Sequence, residues 1–119
     1  MSHSIHSEPH AGGHVIAIAG EADANASPAI DDALRAAFLE ALAHGSDRTI
    51  IVDLTEASFV DSRTIGVLVS WAEQIEPRGW RMPLVCNDPS MLRVFGMIGL
   101  QGTFDFFESR DAAAAAPGS

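Results

Sequence analysis

From His14 to the end of the chain, short β-branched runs trade places with longer stretches whose apolar residues recur every three or four positions. Val15, Ile16, Ala17, Ile18 and Ala19 form such a run between glycines, which predicts a buried strand. A polar loop through Gly20, Glu21 and Asp23 leads to Ser27 and Pro28, a hydroxyl cap and a proline suited to a first helical turn. Asp31 and Asp32 are expected to favour the positive end of that helix, and Ile30, Leu34, Phe38 and Leu42 to form its apolar stripe. His44 and Gly45 close it. A second strand is predicted over 49–54, and Asp61 and Ser62 stand as two capping residues before a second helix carrying Ile65, Leu68, Val69, Ala72 and Ile75 inward. Pro77 and Gly79 end that helix. Residues 80–86 predict a third strand, Asp88 and Pro89 open a third helix with Leu92, Phe95 and Ile98 inward, residues 103–107 give a last strand, and 110–116 a short terminal helix. Alternation of this kind predicts an α/β fold with a mainly parallel sheet and right-handed crossovers.

Composition narrows the functions such a fold can carry. At 119 residues the chain supports one domain, and 47% hydrophobic content is enough for a packed core. The net charge of −9 argues against nucleic acid and against an anionic membrane surface, since both need clustered cations. All seven basic residues are arginines, so Schiff-base chemistry and a lysine-dependent phosphate loop are excluded. Cys86 is alone, which excludes an intrachain disulfide and a cysteine-built zinc site. No segment is apolar for the roughly 18 residues a membrane span requires. The first residues do not read as a signal peptide, and a cytoplasmic domain is expected.

Residues 1–13 are polar and carry His3, His6 and His10, with His14 following. No spacing among them fixes a tetrahedral set, so the segment reads as mobile chain or an edge strand rather than a metal site. In an open α/β sheet, function gathers at the carboxyl ends of the strands. The loops 20–26, 57–64 and 87–89 answer that description and bring together Asp23, Asn25, Asp61, Ser62, Asn87 and Asp88. This rim is acidic and lacks a histidine base, so a Ser-His-Asp triad is not expected. Glu21, Asp23 and Asp61 could pair as catalytic carboxylates, but residues of this kind at strand ends ordinarily form turns and caps. No catalytic residue, metal or other cofactor is assigned. Ser62 lies where free amides and the helix dipole would stabilise an attached phosphate, while serving equally well as a plain cap.

The segment T-I-I-V-D-L-T-E-A-S-F-V-D-S-R-T-I-G-V-L-V over 49–69 resembles the signature of STAS domains, in particular bacterial anti-sigma factor antagonists. Gly20-Glu21-Ala22-Asp23 upstream, and Gly99-Leu100 with Phe104 downstream, extend the resemblance over residues 14–108. It implies a single domain over 14–108, with an antiparallel edge strand before it, a four- to five-stranded sheet, and a short helix and tail over 109–119. The implied function is a non-catalytic switch. The unphosphorylated protein binds an anti-sigma factor that is also a serine kinase, and the kinase then modifies the serine of the signature, here Ser62. A serine phosphatase resets it. The implied binding surface comprises Asp23, Asn25, Asp61, Ser62, Arg63, Thr64 and Val67, on a monomer or weak homodimer. Thr64 stands where the signature has glycine, adding bulk and a second hydroxyl, and Arg63 places a cation beside the acceptor. A non-switching STAS module in a scaffold or transporter assembly, with Ser62 only a cap, and a small enzyme using the acidic rim are the alternatives.

Overall fold

A computed structural model describes residues 3–10, 13–44, 48–97 and 104–115. The elements run β1 (His3–His10), β2 (Gly13–Ala22), α1 (Ser27–His44), β3 (Ile50–Asp53), β4 (Ala57–Val60), α2 (Ser62–Ile75), β5 (Leu84–Val85), α3 (Pro89–Met97), β6 (Phe106–Phe107) and α4 (Arg110–Ala115). One turn of 3-10 helix, Glu76–Arg78, follows α2. The sheet order is β1-β2-β3-β5-β6, with β4 also paired to β2. All pairings are parallel except β1 with β2. The α/β fold, the mainly parallel sheet and its antiparallel edge strand are as expected; among the described residues that edge strand brings the sheet to six strands.

The first residues settle into the edge-strand alternative: β1 pairs along its whole length with β2, from His3 opposite Gly20 to His10 opposite Gly13. Pro9 is tolerated there because an edge strand can spare a donor. Strand alternation sends the histidines to opposite faces, His10 to within 3.2 Å of Asp111 in α4 and His14 to within 3.9 Å of Glu40 in α1. Among the described residues, no three histidine, cysteine or acidic side chains gather where a metal could sit.

β2 is the spine of the sheet. Its first half pairs with β3 and its last residues with β4, and the register shifts between Gly20 and Glu21. Gly20 pairs with Ala57 and Glu21 with Phe59, so the extra residue at this irregularity is Ser58 on β4, and Gly20 beside it has φ of 82°, a left-handed conformation that glycine adopts without steric cost.

The main core lies between the sheet and helices α1, α2 and α3. Ile16, Ile30, Leu34, Leu68, Leu84 and Phe95 are among its large buried members. The opposite face carries a smaller cluster of Val15, Ile51, Val85 and Ala113, covered by α4. Phe95 packs edge-on against Phe104 and Phe106, at 6.0 and 5.3 Å between centroids, which anchors α3 to the far side of the sheet.

Several local expectations are corrected. Ser27 is not an accepting cap: its hydroxyl donates to the Ala24 carbonyl at 2.9 Å. Asp31 and Asp32 lie beyond the first turn of α1 and bind Arg35 instead, and Asp31 also accepts from the Trp71 indole at 2.6 Å. Leu42 is 51% exposed. Four residues advance a helix about 40° past a full turn, so a stripe spaced strictly by fours drifts about 120° over three steps. The buried stripe turns instead through Ala37 and Ala41. The third predicted strand shrinks to Leu84–Val85 with one further bridge, Thr49 to Arg81, because Pro83 has no amide to give the ladder. The last strand shrinks to Phe106–Phe107. Ile98, Thr103 and the residues beyond Ala115 lie outside the described residues.

Candidate functional site: the rim at the start of the second helix

β2 and β4 are parallel neighbours, Ala22 opposite Val60, so both strands end at the same place and their exit loops open side by side. The Asp61 amide donates to the Ala22 carbonyl at 3.1 Å, which joins the two loops through backbone alone. Asp61 then caps α2, its Oδ1 accepting from the Thr64 amide at 3.0 Å. Ser62 is therefore the first helical residue and not the cap. It is exposed, and its hydroxyl has no hydrogen-bond partner among the described residues.

The neighbouring side chains divide by depth. Asn25 and Arg63 are exposed, Asp23 and Asp61 half-buried, and Val67 half-buried one turn further along α2. Asp23 shapes its own loop, its Oδ1 accepting from the Asn25 amide at 3.0 Å. Thr64 lies beneath the rim rather than on it, fully buried at 0% exposure. Its hydroxyl donates to the Ala22 carbonyl at 2.8 Å and lies 3.3 Å from that of Asp23. No surface of Thr64 is left for a partner to touch.

Asp88 and Asn87, exposed at the end of β5, complete the acidic edge. Asp88 accepts from the Ser90 amide at 2.9 Å as α3 begins. Beside it, Ser58, Phe59 and Val60 of β4 and Ser90, Met91 and Val94 of α3 line a shallow, mainly apolar hollow of about 130 Å³. Phe59 is 49% exposed there. The stretch 57–64 was expected to be a loop, but its first four residues form β4, a strand whose uneven burial leaves no clean alternation to read from sequence.

A second polar group escaped sequence reading. Asp53, at the end of β3 and with its side chain 8% exposed, accepts from Arg110 Nε at 2.6 Å and from the Thr55 amide and hydroxyl at 2.9 and 2.7 Å. Arg110 also pairs with Glu8. Burial works against the charge on Asp53, but the bonds from Arg110 and Thr55 outweigh it and hold the carboxyl below its ordinary value of 3.8. The partners are 57 and 102 residues apart in sequence, a pairing that no local pattern announces.

The fold and the motif together define the class. Residues 6–107 match the family model described as "Mlab, STAS domain", and the chain belongs to the STAS domain family. Among solved structures it is similar to an anti-sigma factor antagonist from Mycobacterium paratuberculosis, with a TM-score of 0.78 and 25% identity over 94% of this chain and 91% of that one. It is also similar to the anti-sigma factor antagonist SpoIIAA in its unphosphorylated form (TM-score 0.65, 25% identity, 93% and 94% covered). The phosphorylated form of SpoIIAA, a Bacillus cell fate determinant, matches with a TM-score of 0.66 and 25% identity over 92% and 96%. No helix among the described residues is long and apolar enough to cross a membrane.

Proposed function

We propose that this protein is an anti-sigma factor antagonist switched by phosphorylation of Ser62. In its unmodified form it binds an anti-sigma factor that is also a serine kinase, so that a sigma factor is released. The kinase modifies Ser62 and a serine phosphatase restores it, all within the cytoplasm. The observation that carries this reading is the state of Ser62: exposed, first in its helix, with an uncommitted hydroxyl because Asp61 does the capping. The binding face is the rim of Asp23, Asn25, Asp61, Ser62 and Arg63, continued by Val67 on α2. The likeness to an antagonist solved in both unphosphorylated and phosphorylated forms supports the reading.

The physics of the switch separates fold from binding. A phosphate at a helix N-terminus meets unpaired amides and the positive end of the dipole, so no buried group need move. On the partner's side, a charge of about −1.5 to −2 beside Asp61 must be desolvated against an already acidic rim. A cost of a few kcal/mol weakens affinity about a hundredfold or more. Calorimetric titration of the anti-sigma factor against wild type, Ser62→Ala and the phosphorylated protein tests this. Wild type and Ser62→Ala should bind alike, the phosphorylated form at least about a hundredfold more weakly, and all three should melt within a few degrees of one another. Equal binding by the phosphorylated form would instead identify a non-switching STAS module.

A further inference from the structure

Thr64 is the one rim residue of the sequence motif that the structure withdraws from the surface, and its hydroxyl reaches two carbonyls 42 and 41 residues back in the chain. The Ala22 carbonyl accepts both the Asp61 amide and the Thr64 hydroxyl, at 3.1 and 2.8 Å. The Asp23 carbonyl accepts the Ala26 amide at 3.0 Å and lies 3.3 Å from the same hydroxyl. The Thr64 amide is meanwhile held by the Asp61 carboxylate. One side chain thus touches the exit of β2, the loop that presents Asp23 and Asn25, and the helix start that presents Ser62. Glycine, which the resembling signature has here, could make none of the hydroxyl contacts.

We infer that Thr64 is a positioning residue: its buried hydroxyl fastens the 22–26 loop to the start of α2, so that Asp23 and Ser62 are presented as one preformed rim. This rests on the reading of that rim as the binding face, but its first test needs no partner. Preformed surfaces bind more tightly because less ordering remains to be done on docking, so Thr64 would act on affinity without touching the partner. It also follows that Thr64, despite its hydroxyl, is not a phosphate acceptor in the folded protein.

Valine matches threonine in shape and lacks the hydroxyl, and both carbonyls keep a backbone donor in Thr64→Val, so the fold should survive. Amide exchange measured by NMR should then quicken about tenfold or more at Asn25 and Ala26, while Ile51 and Val52 in β3 stay protected. Thr64→Ser, which keeps the hydroxyl, should restore wild-type exchange in the loop. Unchanged exchange at Asn25 and Ala26 overturns the inference, and so does an equal rise throughout β3, which would make the hydroxyl a support of the whole fold. A double-mutant cycle reads the consequence for binding. With the anti-sigma factor of the Ser62 titration, Thr64→Val should lose about tenfold in affinity in the wild-type background and almost nothing in an Asp23→Ala background. Equal losses in both backgrounds mean that Thr64 does not act through Asp23. If wild type fails to bind that protein at all, the antagonist reading falls while the exchange result still decides the positioning role.

Discussion

Of two adjacent capping residues the chain uses only one, and that choice decides what Ser62 is free to do. Asp61 has the extended backbone of an N-cap, φ −95° and ψ 176°, and its carboxylate takes the Thr64 amide. Two candidates stood side by side in the sequence, and only backbone geometry separates them. At Ser27 the same chemistry went the other way, because that hydroxyl found the Ala24 carbonyl within reach. Removing the cap has a cost of its own: Asp61→Ala should lose about 1 kcal/mol of stability, and Asp61→Asn much less, in urea unfolding. Equal stability of wild type and Asp61→Ala would count against the capping assignment. Exposed Arg63 should tolerate alanine within about 0.5 kcal/mol in the same assay.

Among the elements, α4 is the one held most by charge. It offers the sheet only alanines, with Ala113 buried over Val15, Ile51 and Val85, so small side chains bury little apolar area. Arg110 at its first residue compensates by pairing with Asp53 of β3 and Glu8 of β1, and Arg81 donates to the Ala113 carbonyl at 3.3 Å. Arg110→Met should cost about 1–3 kcal/mol at neutral pH, because Asp53 keeps its Thr55 bonds but loses its cation. The pH dependence follows in sign. A carboxyl held below 3.8 in the folded state binds its proton less readily there than in the unfolded chain, so its stabilisation is complete above that value and is lost as pH falls through the lowered folded value. Wild type should therefore lose more stability than Arg110→Met on going from pH 5 to pH 2.5, and parallel curves would refute the clamp. None of this was legible beforehand. The helix of 110–115 was, since its composition is local, whereas its lock joins three distant segments. The long helices were read well because amphipathic periods repeat over many residues. β4, β5 and β6 were misjudged because two to four residues show no period.

At the scale of the whole molecule, 16 acidic residues against 7 arginines set a field that an approaching partner meets before any contact. Asp23, Asp61 and Asp88 add to it around the Ser62 rim, so a partner with a basic face should associate faster at low salt. Stopped-flow association rates with the anti-sigma factor should fall about tenfold or more between 50 and 500 mM salt, with dissociation changing less, and a salt-independent rate would exclude steering. The parallel pairing of β2 with β4 carries a different consequence. Because the Ala22 carbonyl holds both the Asp61 amide and the Thr64 hydroxyl, where Ser62 stands is dictated by main chain and a buried side chain, while what surrounds it is left to exposed residues such as Asn25 and Arg63. Location and vocabulary are thus written in separate parts of the molecule. Gene duplicates of such a domain can diverge in whom they address by swapping surface residues alone, each copy inheriting its serine at the same address, so new signalling channels can branch off without any of them having to learn again how to fold.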